Sequence, residues 1–209
     1  MVEILNITNG DAFNRYLLSK IDEEAVPFCE AMMDGQAVLS VYSDEFIELR
    51  SKEHGVSVEE YKSKMLPNDI CKYSKLNLWF GKDTLCQANL LTLLAYLEQI
   101  KYAGEVALNY IDDETFDVIE ADIKVKLSKY ANLYNEILIN KNKTDNVGVL
   151  NFNAIEFYFD YHSSEGALAK IVRENVTMND KDLICLLLEK SKEYGLSDIQ
   201  AAKLIKKYK

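Results

Sequence analysis

The sequence predicts an α/β protein: a Rossmann-like parallel sheet of four or more strands flanked by helices, followed by an all-helical C-terminal region. Two observations support this fold class. Four short apolar runs rich in β-branched or aromatic residues alternate with segments of helical periodicity, which is typical of parallel βαβ units. Beyond the fourth run, apolar side chains recur at helical spacing. We therefore predict an α/β domain at 1–112 and a helical region at 113–209 packed on it.

The predicted strands are the four apolar runs Glu3–Thr8, Ala25–Cys29, Lys75–Phe80 and Glu105–Ile111. Helices are expected between them, the first one starting at Asp11. Ser43 is a predicted N-cap, and Ser57 with Glu60 matches a capping box. The leucine-rich segment 87–100 is expected to pack directly on the sheet.

The C-terminal region begins with one long amphipathic pattern over residues 113–141, which predicts a helix. Shorter helices are expected near 151–162, 164–175, 179–194 and 197–208. Gly195 suits a helix C-cap and Ser197 the next N-cap. The aromatic residues of 151–162 are too apolar to remain in water, so they should pack on the α/β domain or on a second subunit of a homodimer.

The charge distribution limits the possible partners. The formal net charge is −10. Residues 163–209 hold nine Lys/Arg and seven Asp/Glu, a net +2, which leaves −12 on residues 1–162. A negative surface repels nucleic-acid backbones and anionic membranes, so we expect no DNA binding at physiological salt and no membrane partner. No apolar stretch approaches the roughly 18 residues of a membrane span, and no signal peptide is expected.

The cysteine and histidine pattern points to the cytoplasm and to no metal site. The cysteines lack a CxxC motif and have apolar neighbours, so buried, reduced thiols are expected at Cys29, Cys71, Cys86 and Cys185. His54 and His162 are isolated from each other and from the cysteines, which favours structural roles. Asp112 and Asp113 could hold Mg²⁺ together with Asp83, but they are equally consistent with solvated surface carboxylates.

Polar residues follow each predicted strand, and ligands of open parallel sheets bind at the carboxyl ends of the strands. We call this edge of the sheet the rim. In Asn9-Gly10-Asp11, glycine permits a sharp turn into a helix whose N-terminal amides favour an anion, although Asp11 could simply cap that helix. The predicted ligand-binding residues are Asn9, Gly10, Asp11, Glu30, Arg50, Lys82, Asp83 and Gln87.

We expect Asp11, Asp83 and Arg50 to share one crevice. If Arg50 faces the rim, its guanidinium is a natural fork for a carboxylate or phosphate; otherwise it lies in solvent. Lys82 could likewise bind an anion or form a weak surface pair with Asp83. Neither GxGxxG nor GxxxxGK[ST] is present, so no nucleotide cofactor is predicted and the cofactor stays open.

The run Leu78-Trp79-Phe80-Gly81-Lys82-Asp83, with Gln87 and Leu90-Leu91 after it, resembles a hallmark of the bacterial family called domain of unknown function eighteen-thirty-five. That hallmark reads roughly Leu-Trp-Phe-Glu-His-Asp, three residues, Gln-Leu. Asn9-Gly10-Asp11 resembles the family's early Gly-Asp-Ser element, and Arg50 its mid-domain arginine. The resemblance covers about residues 1–115 and is weaker beyond them. Some relatives are labelled AraC-type transcriptional regulators.

Two departures from the family pattern concern chemistry. Gly81-Lys82 stands where the family has Glu-His, so that acid–base pair is absent. Ala12 stands where the family often has serine, so a serine-hydrolase nucleophile does not exist here. The resemblance therefore implies the fold and the rim, and leaves open whether the protein is an enzyme.

Three functions remain as hypotheses. The first is a bacterial binding module or small enzyme that takes a small anionic ligand at the rim. The second is a transcriptional regulator acting through the lysines of its last helix, Lys203, Lys206, Lys207 and Lys209. An AraC-type DNA-binding region has two helix-turn-helix units, and the C-terminal region is too short for both. The third is an interaction protein whose helical region docks a partner or a second copy.

Overall fold

Four parallel strands and one antiparallel strand form the sheet of the computed structural model, which describes residues 3–209. The four predicted strands and their parallel pairing are confirmed, with ends shifted by at most one residue. The order across the sheet is β2-β1-β3-β4-β5. The strands are β1 (Ile4–Asn9), β2 (Ala25–Phe28), β3 (Lys75–Phe80), β4 (Glu105–Ile111) and β5 (Val118–Lys124).

The helices also follow the predicted alternation. Ser43, Ser57 and Ser197 cap three of them through side-chain hydrogen bonds, as expected. Glu60 does not complete the capping box of Ser57, because its carboxylate binds Lys64 instead. The helices are α1 (Asp11–Leu18), α2 (Asp44–His54), α3 (Val58–Ser63), α4 (Thr84–Gln99), α5 (Tyr130–Tyr134, continued by a π-helical turn at Asn135–Ile139), α6 (Phe152–His162), α7 (Ala167–Glu174), α8 (Asp180–Lys190) and α9 (Asp198–Tyr208).

Helices lie on both faces of the sheet. The leucines of α4 pack in the main core with Leu76 and Leu78 of β3. Phe13 and Leu17 of α1 pack in a smaller cluster that includes Trp79. Because side chains alternate along a strand, Leu78 and Trp79 project to opposite faces, so α4 and α1 cover opposite sides.

The fifth strand corrects the sequence interpretation. A helix was predicted over 113–141, but residues 118–124 form β5, which pairs antiparallel with β4. A tight turn closed by Asp112 reverses the chain: its backbone carbonyl accepts from the Phe116 amide, and its side chain accepts from the Glu114 and Thr115 amides. The strand is almost wholly exposed at the sheet edge. Buried and exposed residues therefore do not alternate along β5, and its sequence lacks the pattern that distinguishes a strand from a helix.

The helical tail, defined here as residues 130–209, contacts the α/β domain through apolar packing and hydrogen bonds. The Asn151 amide donates to Gln87 Oε1 at 2.8 Å, and the Thr84 hydroxyl donates to the Ala154 carbonyl at 3.2 Å. Further along α6, the Tyr161 hydroxyl donates to Asp34 Oδ1 at 2.7 Å. These bonds anchor the tail beside the rim.

All four cysteines are free, but the prediction that they are buried is wrong for two of them. Cys86 is buried and Cys29 partly so, whereas Cys71 and Cys185 are exposed. Among residues 3–209, no helix combines the length and the apolar character needed to cross a membrane.

Candidate functional site

Two cavities open at the rim, one on each side of the end of β1. The Glu30 cavity, about 510 Å³, lies at the ends of β1 and β2 against α2 and α3; its polar lining includes Asn9, Asp11, Cys29, Glu30, His54 and Lys64. The Cys86 cavity, about 520 Å³, lies at the ends of β3 and β4; its lining includes Asn9, Lys82, Asp83, Cys86, Asp113 and Asn151. The two cavities share Asn9 and Leu85.

The strand order explains why the rim opens here. β1 and β3 are neighbours, and the connection after β1 leads to β2 on one side whereas the connection after β3 leads to β4 on the other, so the two leave in opposite directions across the sheet. Such a switch point leaves a crevice that no connection covers. Asn9 is the last residue of β1 and therefore stands at the boundary between the two cavities.

Glu30 is the centre of a buried hydrogen-bond network. Its Oε2 accepts from Arg50 Nε at 3.1 Å and lies 3.3 Å from His54 Nε2, while the Tyr61 hydroxyl donates to Oε1. The side chains of Glu30 and Arg50 are 3% and 2% exposed. Burial and the Glu30 charge raise the pKa of Tyr61 far above its usual range, so its hydroxyl stays a donor. The network ties α2 and α3 to the end of β2.

Arg50 is not available to a ligand, which corrects its predicted role. It is buried, and its two terminal nitrogens donate to the carbonyls of Ala31 and Asp34 at 3.1 and 3.3 Å. The alternative that Arg50 lies in solvent is equally wrong. The Arg50 guanidinium instead neutralises Glu30, and this ion pair stabilises the wall of the Glu30 cavity.

Asn89 links the floor of the Glu30 cavity to Asn9. Its Nδ2 donates to Asn9 Oδ1 at 2.9 Å and to the Glu30 carbonyl at 2.6 Å, and its Oδ1 accepts from the Met32 amide at 2.9 Å. The Asn9 amide in turn donates to Cys86 Sγ at 2.8 Å. Sequence reasoning missed Asn89. The signal was a polar residue inside the leucine-rich segment, because a buried amide requires hydrogen-bond partners.

The first turn of α1 lies at the mouth of the Glu30 cavity. Gly10 is the N-cap, with φ +80°, and no side chain of the described residues caps this helix. Asp11 is therefore not the cap that sequence reasoning considered; its exposed side chain lines the cavity. Burial and the nearby Asp11 charge raise the pKa of Cys29 to about 11, so this thiol is protonated and is a poor nucleophile.

Lys64 brings a positive charge to the same cavity from the C-terminal end of α3. Its ammonium lies 2.7 Å from Glu60 on the surface, and this hydrogen bond raises the pKa of Lys64. The lysine is therefore charged at neutral pH. Neither Lys64 nor His54 was among the predicted site residues, because His54 ends α2 and Lys64 follows α3, and neither directly follows a strand.

The Cys86 cavity brings together three side chains of residue types that can ligate a metal ion, Asp83, Cys86 and Asp113. Asp83 caps α4, its Oδ1 accepting from the Cys86 amide at 3.0 Å. Cys86 Sγ lies 3.6 Å from Asp113 Oδ1, and one donor atom from each residue lies within 4.8 Å of the others. Burial and the two aspartates raise the pKa of Cys86 well above its usual range. Loss of solvent and the Asp83 carboxylate raise the pKa of Asp113 to about 7.

Lys82 and Gln87 have different positions relative to this cavity. Lys82 lines it, with its ammonium 3.7 Å from Glu120 Oε2 and 4.7 Å from the centre of the Tyr110 ring. Gln87 is fully buried, and its amide is occupied: Nε2 donates to the Gly81 carbonyl at 2.6 Å and Oε1 accepts from Asn151. Gln87 therefore joins the tail to the sheet and does not reach a ligand.

The three residues that were expected to share one crevice do not line the same cavity. Asp11 lines the Glu30 cavity, Asp83 lines the Cys86 cavity, and Arg50 lines neither. A scan against protein-family models found no match for the chain, and neither did searches of curated proteins and of solved structures.

Proposed function

We propose that the protein binds a small anionic organic ligand in the Glu30 cavity. The cavity itself is the observation that carries the proposal. Its volume, about 510 Å³, falls within the roughly 300–1,000 Å³ of small-molecule sites. It combines an apolar wall with a few polar groups, which is the lining such sites have. The apolar wall consists of Phe28, Tyr42, Val56, Met65 and Leu85.

The preference for an anion rests on the charges at the mouth. Lys64 and the uncapped first turn of α1 both favour negative charge there. Glu30 does not oppose it, because Arg50 balances that carboxylate. Asp11 does oppose it, as does Glu60, whose carboxylate lies 2.7 Å from the Lys64 ammonium. Asp11 gives the proposal a direct test. A ligand with an apolar body against Tyr42 and Met65 and an acidic group near Lys64 uses both sides of the cavity.

The test is a thermal-shift and calorimetric screen with matched ligands. Each set shares one apolar body and carries a carboxylate or phosphate, a neutral amide, or an amine. Anionic members should bind best. Lys64→Gln should weaken their binding about two- to five-fold, and Asp11→Asn should strengthen it by a similar factor, because one charge at a helix end contributes about 0.3–1 kcal/mol.

Lys62→Gln is the matched control, since Lys62 lies on the same helix, is exposed and does not line the cavity. It should leave binding unchanged. A preference for the amines, with the effects of Lys64→Gln and Asp11→Asn reversed, would refute an anionic ligand. Failure of every set to bind would refute the site.

The finer fold assignment is also a proposal. We propose that the sheet is Rossmann-like and that the chain is a relative of the bacterial family it resembles. The order β2-β1-β3-β4, with helices on both faces, supports the first. The Trp79–Gln87 pattern supports the second. Four free cysteines support a cytoplasmic location, where thiols stay reduced.

The alternative function, a regulator or interaction module acting through the tail, has less support. Lys203 lies 3.3 Å from Asp34 and Lys209 lies 2.6 Å from Asp180, so two of the four terminal lysines are paired within the chain. A DNA-binding assay at low and physiological salt distinguishes this function from the first, because phosphate contacts give binding a strong salt dependence.

A further inference from the structure

The three donor side chains of the Cys86 cavity come from two segments, the N-terminal turn of α4 and the turn that follows β4. Asp83 ends the turn after β3, Cys86 lies in the first turn of α4, and Asp113 follows β4. The parallel pairing of β3 with β4 brings the two aspartates to the same end of the sheet. One donor atom from each residue lies within 4.8 Å of the others. This convergence of two segments involves none of the charged residues that line the Glu30 cavity.

We propose that Asp83, Cys86 and Asp113 form a binding site for Zn²⁺. The thiol is the deciding observation, because two aspartates alone would describe many acidic surfaces. The Cys86 residue is 3% exposed, yet its sulfur faces Asp113 at the cavity and not the leucine core. Mg²⁺ and Ca²⁺ take oxygen ligands, whereas Zn²⁺ accepts a mixture of thiolate and carboxylate.

The distance between donors fits this ion. With zinc–sulfur and zinc–oxygen bonds of about 2.3 and 2.0 Å, a tetrahedral ion separates a sulfur and an oxygen ligand by about 3.5 Å. The observed separation of Cys86 Sγ and Asp113 Oδ1 is 3.6 Å. Closure of the site around the ion therefore requires little movement of these two ligands.

Neighbouring groups hold the ligands in place. The capping bond from the Cys86 amide fixes Asp83, and the Asn9 amide donates to Cys86 Sγ at 2.8 Å. Gly81 leaves room for Asp113: a Cβ on residue 81 would lie 1.8 Å from Asp113 Oδ2. Partners that orient metal ligands in this way typically contribute about 10–100-fold to metal affinity.

Three protein ligands leave one position of a four-coordinate zinc ion for water, as in catalytic zinc sites. On binding, Cys86 releases its thiol proton to solvent and binds as the thiolate, and both aspartates bind as carboxylates. Zn²⁺ with three anionic ligands gives the site a net charge of −1. Metal affinity should therefore rise with pH.

Titration of the purified protein, residues 1–209, with Co²⁺ alone, followed by Zn²⁺ alone, tests the site. We expect one Co²⁺ per chain with a thiolate-to-cobalt charge-transfer band, displaced by an equivalent of Zn²⁺. Asp113→Asn should lower the Zn²⁺ affinity at least about tenfold, as loss of an outer-sphere partner already does. Cys86→Ser should abolish the charge-transfer band.

Two variants serve as matched controls. Cys185→Ser removes an exposed thiol elsewhere, and Asp117→Asn removes an exposed carboxylate from the same hairpin; both should leave the band and the affinity unchanged. If Cys86→Ser fails to fold, Asp113→Asn decides, because Asp113 is exposed at the surface. Absence of the band in the unaltered protein, or its loss in Cys185→Ser, would overturn the assignment.

Discussion

The two cavities at the rim are nearly equal in volume, but their acidic side chains have opposite electrostatic surroundings. In the Glu30 cavity, the carboxylate is surrounded by Arg50, His54 and the Tyr61 hydroxyl. In the Cys86 cavity, Asp113 faces another carboxylate and a thiol. The first arrangement has its cation built into the chain, whereas no cationic group of residues 3–209 forms an ion pair with Asp83 or Asp113 in the second. Glu30, which Arg50 neutralises, therefore supports the structure of its cavity. Asp113, which has no such partner among the described residues, is available to bind a cation.

The comparison is tested most strongly by removing the built-in cation. Arg50→Met should lower the free energy of unfolding by about 3–5 kcal/mol, because it leaves the buried Glu30 charge unpaired. Urea denaturation followed by circular dichroism measures the change. Asp113→Asn, at the corresponding acidic group of the other cavity, should not destabilise the protein.

The double variant Arg50→Met with Glu30→Leu sharpens this test. Replacing both members of a buried ion pair by apolar residues is often neutral or stabilising, so much of the stability lost in Arg50→Met should return. If the double variant is no more stable than the single one, the cost of Arg50→Met comes from lost packing and not from the unpaired, buried charge of Glu30.

The sequence was informative where burial leaves a periodic pattern. The strand boundaries of β3 and β4 were predicted to the residue, because both strands are buried and bounded by polar turns. β5 was missed because its exposed side chains show no such pattern. The spacing of Phe116, Ile119 and Ile123 resembled a helix, but these residues belong to a turn and an edge strand.

The sequence predicted where the candidate site lies, but not which of its polar side chains contact one another. Residues after the strands do meet at one edge, as parallel pairing requires. A sequence does not show which polar side chains satisfy one another, however. Arg50 was assigned to the ligand, yet Glu30 lies beside it and occupies it. Cys86 and Asp113 are 27 positions apart, and only the pairing of β3 with β4 joins them.

A substitution at Gly81 tests whether Asp113 is a metal ligand in the Cys86 cavity. A Cβ at this position would occupy the place of the Asp113 carboxylate, which lies at the end of a side chain that can rotate away. Gly81→Ala should therefore change the free energy of unfolding little but displace Asp113. Zn²⁺ affinity, measured by competition with a chelating dye, should fall at least about tenfold, as with Asp113→Asn. A variant that is destabilised but binds Zn²⁺ normally would show that Asp113 is not a ligand.

The smallest expected effect is a pH dependence that the two cavities do not share. The pKa of Asp113 is raised to about 7, above the ordinary aspartate value that the unfolded chain retains. The folded state therefore binds more protons between about pH 4 and pH 7, and the free energy of unfolding falls as pH rises through this range. Because the group is partly exposed, solvent screening should limit the fall to about 1 kcal/mol or less.

Asp113→Asn should remove this pH dependence. Saturating Zn²⁺ should reverse its direction, since the ion stabilises the ionised carboxylate. Denaturation midpoints at closely spaced pH values measure the slope. An identical slope in the unaltered protein and in Asp113→Asn would mean that the fold does not raise the pKa of Asp113, and the contrast between the two cavities would then be lost.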